Sequence, residues 1–141
     1  MSTVALFPGS FDPFTVGHEA LVRRMLCLFD SVVVAVGVNS DKTYMFAVED
    51  RVRRIESIFE GEGRVRVVAY GDMTVDCCRR EGAGVIVRGV RDMADMEYEQ
   101  RVAAVNRSLA HDIDTIIMFA DADMVDVSST RERELLLHQN K

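Results

Sequence analysis

A chain of 141 residues, 48% apolar and 28% charged, is long enough to bury a core and reads as a single domain over residues 1–141. Its net charge of −6 argues against a nucleic-acid partner, which would require a basic face, yet leaves room for a few cations gathered around a small anion. The chain opens on no basic-then-apolar leader, and no apolar run approaches the ~20 residues of a membrane span, so no membrane partner is expected.

The first apolar run, Thr3–Phe7, reads as a strand. It leads into FPGSFDPFTVGH, residues 7–18, which holds both prolines, Pro8 and Pro13, and ends in a helical pattern over Gly17–Phe29. There Leu21, Met25 and Leu28 share one face, with Arg23 and Arg24 turned away. A strand over Val32–Val38 precedes a helix over Val48–Glu60, with Val52, Ile55 and Ile58/Phe59 inward and Arg51, Arg53 and Arg54 between them. Next come a strand at Arg64–Tyr70, a helix at Val75–Glu81 and a strand at Val85–Arg88. A helix at Ala94–Leu109, a strand at Thr115–Phe119 and a helix at Thr130–His138 complete the pattern. The three cysteines, Cys27, Cys77 and Cys78, form a poor disulfide framework and a poor metal site. A reducing, cytoplasmic setting is expected, with these thiols as small core or half-buried residues.

Alternation of short β-branched runs with amphipathic segments predicts an α/β fold: a doubly wound, Rossmann-like parallel sheet of five strands with helices on both faces. In such a sheet ligands bind beyond the carboxyl ends of the strands. The segments to inspect are therefore 8–18, 39–46, 71–74, 88–91 and 120–130.

No G-x-G-x-x-G follows the first strand, and no G-x-x-x-x-G-K-[ST] occurs. The 8–18 junction offers another way to hold phosphate. Gly9 would admit a ligand close to the backbone, Ser10 brings a hydroxyl, and Gly17-His18 opens a helix whose free N–H groups suit an anion. The same residues would also serve as a capped loop with a partly exposed histidine. Arg88 ends an apolar strand, where its charge needs a partner. The D-x-D-x-x-D spacing at Asp121, Asp123 and Asp126 lacks the glycine and glutamate of a calcium loop.

The string from Ser10 to His18 resembles the T-x-G-H form of the nucleotidyltransferase signature, and Ser128-Ser129-Thr130-Arg131 resembles the second signature. The whole chain is similar to the bacterial phosphopantetheine adenylyltransferase family. The similarity runs through Asn39-x-x-Lys42-x-x-Met45-Phe46, Glu49, Arg51, Thr74-Val75-Asp76, Arg88-Gly89-Val90-Arg91, Asp95-x-Glu97-Tyr98-Glu99 and Asn106-Arg107. The resemblance implies transfer of adenylyl from ATP to 4′-phosphopantetheine, giving dephospho-coenzyme A and pyrophosphate, the penultimate step of coenzyme A synthesis. It implies direct in-line attack without a covalent intermediate.

Carried onto this sequence, the resemblance makes His18 the transition-state stabiliser, aided by Ser10, Lys42 and Arg91. It assigns ATP to Ser10, Phe11, His18, Gly89, Val90, Arg91 and Glu99. Along the last loop, Met124, Val125, Asp126, Val127, Ser128, Ser129 and Thr130 join them. It assigns phosphopantetheine to Ser10, Lys42, Thr74 and Arg88. Ser10 stands where most of the family has threonine, and keeps the hydroxyl. Mg2+ is implied as an ion bound through ATP phosphates and water, with no protein metal site, and a homohexamer is implied as the assembly.

The 121–127 segment is more acidic than its family counterpart, and the chain ends roughly 15–20 residues before most relatives do, so a final helix is expected to be short or absent. Two alternatives stay open. One is another nucleotidyltransferase of the superfamily, acting on nicotinamide mononucleotide or using CTP; the other is a non-catalytic sensor of coenzyme A or a nucleotide.

Overall fold

The computed structural model describes residues 2–139, with the side chain of Gln139 left aside. Five parallel strands, β1 (Val4–Gly9), β2 (Ser31–Gly37), β3 (Val65–Tyr70), β4 (Val85–Val90) and β5 (Asp114–Phe119), form one sheet in the order β3-β2-β1-β4-β5. Helices α1 (Val16–Met25), α2 (Val48–Ile58), α3 (Thr74–Glu81) and α4 (Met93–Leu109) connect them, and α5 (Ser129–Gln139) follows a short 3-10 turn at Ala122–Met124. This is the doubly wound arrangement that the βα alternation predicts.

The strands explain the two faces. In β2 every residue from Val32 to Val36 is fully buried, and alternate side chains enter different cores. Val32, Val34 and Val36 join Ala5 and Phe7 of β1 with Val22 and Met25 of α1 and Ile55 of α2. Val33 and Ala35 join Leu6 and Ile86 with Val75, Cys77 and Cys78 of α3. Close-packed apolar surface on both sides leaves only the strand ends free for a ligand.

Several local expectations change. Helix α1 begins at Val16 with Thr15 as its N-cap and stops at Met25, so Leu28 lies past its end at 65% exposure, and Cys27 is exposed rather than half-buried. Strand β4 continues two residues beyond Arg88, to Val90. Arg51, read as one of three arginines between the apolar positions of α2, is 2% exposed. It stands one turn before Ile55, on the face that α2 buries.

Candidate active site

Strand β1 pairs with β2 as far as Gly9↔Val36, but with β4 only at Ala5↔Val85 and Leu6↔Ile86. Past that point Arg88 takes over from the ladder. Its Nη1 donates to the Pro8 carbonyl, while Nε and Nη2 grip both carboxylate oxygens of Glu99 at 2.9 and 2.8 Å. The pair is well enclosed, with side-chain exposures of 27% for Arg88 and 6% for Glu99. Burial opposes the Arg88 charge, but the hydrogen bonds and charge of Glu99 more than offset it and hold its pKa above the ordinary value. Three of the five guanidinium N–H groups are so engaged, leaving one on each terminal nitrogen for a ligand.

The loop after β1 builds the second half of the site. Phe11 adopts a left-handed φ of 49°, a conformation that costs a non-glycine residue about 1–2 kcal/mol. Burial of its ring offsets that cost: Phe11 is 4% exposed and stacks among Phe7, Phe14 and His18, with centroids 5.2, 5.1 and 5.0 Å away. Gly9 is required by this ring, because a Cβ there would lie 2.8 Å from Phe11 Cζ. Gly89 likewise answers to packing, since its Cβ would meet Leu21 Cδ1 at 2.4 Å. Both glycines also border the cavities, Gly9 both of them and Gly89 the smaller.

Thr15 and His18 form a capping box at the start of α1. The Thr15 backbone N–H donates to His18 Nδ1 at 2.9 Å. An amide N–H can only donate, so Nδ1 is the acceptor and the proton of the neutral ring resides on Nε2. Burial, followed by the positive charges of Arg88 and Arg91, lowers the His18 pKa to about 4. At neutral pH His18 is therefore an uncharged donor with a fixed tautomer.

Two cavities open at these strand ends and share the wall made by Gly9, Ser10, Arg88, Tyr98 and Glu99. The larger, about 1050 Å³, is bordered by Lys42, Tyr70 and Thr74, so it brings together every residue expected to hold phosphopantetheine. Thr74 opens α3, with its hydroxyl 3.1 Å from the Tyr70 hydroxyl. Lys42 lies exposed on the loop after β2.

The smaller cavity, about 350 Å³, is bordered by Phe11, His18, Gly89 and Arg91 on one side and by Met124, Val127, Ser128, Ser129 and Thr130 on the other. Arg91 donates to Asp95 at 2.9 Å, and this contact raises its pKa. Ser128 Oγ accepts the Arg131 N–H at the start of α5, and Ser129 Oγ donates to the Pro13 carbonyl. The serines thus cap the helix and tie it to the β1–α1 loop.

Three residues expected at the nucleotide are not on this wall. Val90 is 1% exposed and lies in the core, with its carbonyl accepting the Ala120 N–H. Val125 and Asp126 are exposed, because the turn closed by Val127 N–H on the Met124 carbonyl directs them outward. Glu99, expected at the ATP site, does lie on the wall of both cavities, and both its carboxylate oxygens accept from Arg88.

Three residues that sequence reasoning left without a role prove central to the architecture. Asp12 accepts the backbone N–H groups of Met45 and Phe46, Arg51 donates to three backbone carbonyls, and Arg133 donates to the Asp12 carbonyl from α5. Arg51 carried a signal in its four-residue spacing from Ile55. For Asp12 and Arg133 nothing in local pattern reveals partners so distant along the chain.

A Rossmann-like sheet whose strand order reverses at a junction lined by Lys42, Arg88, Arg91 and His18 defines the class: residues 6–135 match the cytidylyltransferase-like family. A phosphopantetheine adenylyltransferase from Phocaeicola vulgatus is 46% identical over 94% of this chain and 87% of its own length. One from Leptospira biflexa is 39% identical over 98% of this chain and 86% of its own. The chain belongs to the phosphopantetheine adenylyltransferase family. Among solved structures, a bifunctional NMN adenylyltransferase/ADP ribose pyrophosphatase from Francisella tularensis matches with a TM-score of 0.71 at 20% identity, covering 99% of this chain and 43% of that one. At that identity the likeness concerns the fold alone.

Proposed function

We propose that the protein transfers the adenylyl group of ATP to 4′-phosphopantetheine, giving dephospho-coenzyme A and pyrophosphate in the penultimate step of coenzyme A synthesis. The observation that carries this reading is the shared wall, which presents Ser10 and Arg88 to both cavities at once. In this reading ATP occupies the smaller cavity and phosphopantetheine the larger. A phosphate oxygen of phosphopantetheine attacks the α-phosphorus in line, a new P–O bond forms, and the bond to pyrophosphate breaks. The nucleophile is already ionised at neutral pH, so no general base is needed.

The remaining barrier is to join two anions and to stabilise charge on the α-phosphate. Lys42 and Arg88 hold the acceptor's phosphate, and Thr74 its pantetheine arm. Arg91, with Ser128, Ser129 and Thr130, holds the triphosphate. His18 donates Nε2–H to the α-phosphate oxygen without adding a mobile proton that the leaving group could compete for. Among the described residues no group of three or more His, Cys, Asp or Glu could hold a metal ion. Magnesium in this reading comes with the nucleotide's phosphates and water, and no step here depends on a protein ligand to it. The same reading places the enzyme in the cytoplasm as a homo-oligomer, a hexamer. The exposed apolar side chains Val105, Leu109 and Phe119, on α4 and β5, are compatible with such contacts.

The experiment is pyrophosphate release with each acceptor and each nucleotide, in wild type and His18→Ala. Release with ATP and phosphopantetheine, falling about 10²-fold or more in the variant with ATP affinity unchanged, is the expected result. Release only with nicotinamide mononucleotide or only with CTP overturns the substrate assignment, and no release with any pair overturns the enzyme. ATP affinity falling in step with turnover would make His18 a binding residue.

A further inference from the structure

Arg51 is 2% exposed and, among the described residues, faces no carboxylate partner; its hydrogen bonds go to backbone carbonyls. Nη1 donates to Ser10 O at 2.7 Å and to Gly37 O at 3.0 Å, and Nε donates to Phe46 O at 3.1 Å. The guanidinium also lies 4.0 Å above the Tyr44 ring. These acceptors come from three separate places: the loop after β1, the end of β2, and the loop that carries Lys42. A buried cation without an ion pair is a poor way to add stability, since an apolar side chain of similar volume would pack there with no desolvation cost. What the guanidinium does, and an apolar residue cannot, is hold three backbone segments in one plane.

Asp12 clasps the same two loops in the opposite sense. Its carboxylate accepts the Met45 N–H at 2.8 Å and the Phe46 N–H at 2.9 Å. The Tyr44 hydroxyl in turn accepts the Asn39 N–H at 2.9 Å, extending the clasp across the segment in which Lys42 sits. Arg51 borders neither cavity; Asp12 borders the smaller one, but each of its carboxylate oxygens accepts a loop amide.

We propose that Arg51 and Asp12 are positioning residues that set the 39–46 loop against the 10–15 loop, fixing the separation of Lys42 from Ser10 to fit the acceptor's phosphate. Arg51 lies outside both cavities, and Asp12 acts through the two loop amides its carboxylate holds. The role rests on the adenylyl-transfer reading above, and it predicts an asymmetry: the brace governs the acceptor side, while the nucleotide side is held by α5 through Arg133 on the Asp12 carbonyl and Ser129 on the Pro13 carbonyl.

The test compares Arg51→Lys, Arg51→Met and Asp12→Asn with wild type in steady-state kinetics and in hydrogen exchange. Lysine keeps the charge but not the fork. All three variants should raise the KM for phosphopantetheine about 10-fold and lower kcat about 10-fold, with the KM for ATP within about twofold. Amides of the 39–46 loop should exchange faster while those of β1 and β2 do not. If Arg51 variants fail to fold, Asp12→Asn decides by the same split. Equal changes in both KM values, a lower Tm with KM intact, or full acceptor affinity in Arg51→Lys would each overturn the proposal. Should wild type fail to turn over phosphopantetheine, the functional reading falls. Unchanged exchange at 39–46 would overturn the brace whatever the substrate.

Discussion

The state of His18 can be tested by titration, because its neutral form and its tautomer both follow from geometry. The perturbation is pH. The ring's pKa falls from 6.5 in the unfolded chain to about 4 in the folded one, because burial and the charges of Arg88 and Arg91 oppose a second proton. A base whose folded pKa is lowered is protonated first in the unfolded state. Its contribution to stability is therefore whole above pH 6.5, falls as pH drops toward 4, and then levels off. At about 1.4 kcal/mol per pH unit, the loss across that window reaches about 3 kcal/mol, reduced to about 2 by the ring's residual contact with solvent. The expected observation is an unfolding free energy from denaturant titration that falls between pH 6.5 and 4 by about 2 kcal/mol more in wild type than in His18→Gln. Long-range 1H–15N NMR of the free protein should show a neutral ring with the proton on Nε2 at pH 7. A ring midpoint at pH 6 or above, or a proton on Nδ1, would refute the reasoning.

Two further substitutions probe the enclosed contacts. Glu99→Gln removes one charge from a well-buried pair, and Arg88 is left with a single neutral acceptor on that side; the expected loss is about 3 kcal/mol, or roughly 10 °C in Tm by calorimetry. A change under about 2 °C would mean that Arg88 does not depend on Glu99. Gly89→Ala drives a methyl into Leu21 and should cost about 1–2 kcal/mol by urea unfolding. Combined with Leu21→Ala, its cost should shrink by at least about 0.5 kcal/mol, whereas simple additivity would show that the clash is not the cause.

The sheet was legible because burial on both faces leaves strands no choice but continuous apolar sequence, as in Val32–Val36. The site was legible where chemistry and local structure coincide. Lys42, Thr74, His18 and the Ser128–Thr130 cap fall just after a strand or at a helix start, Arg88 sits near the carboxyl end of β4, and each borders one or both cavities. Legibility failed where a side chain serves something far away in sequence. Glu99 looks like a surface residue of α4, and only the end of the β1–β4 ladder shows why it must hold Arg88. Arg51 reads as one arginine among three, although its partners at Ser10, Gly37 and Phe46 make it the buried one. Val125 and Asp126 lie exposed off the cavity wall because the turn closed by Val127 N–H on the Met124 carbonyl is set by a backbone bond that no periodicity records.

In the proposed reaction, the wall common to both cavities has a consequence for how a catalytic cycle ends. Two substrates arrive separately, and each gives up its own translational freedom on binding. Once joined across that wall they form one molecule that keeps the acceptor's contacts and those of the adenylyl group, losing only those to the departed pyrophosphate, and gives up such freedom only once, so it is held more tightly than phosphopantetheine alone. Pyrophosphate, tethered to nothing, is free to leave first. Departure of the joined product then becomes the slow step, and a burst of pyrophosphate in the first turnover is its signature.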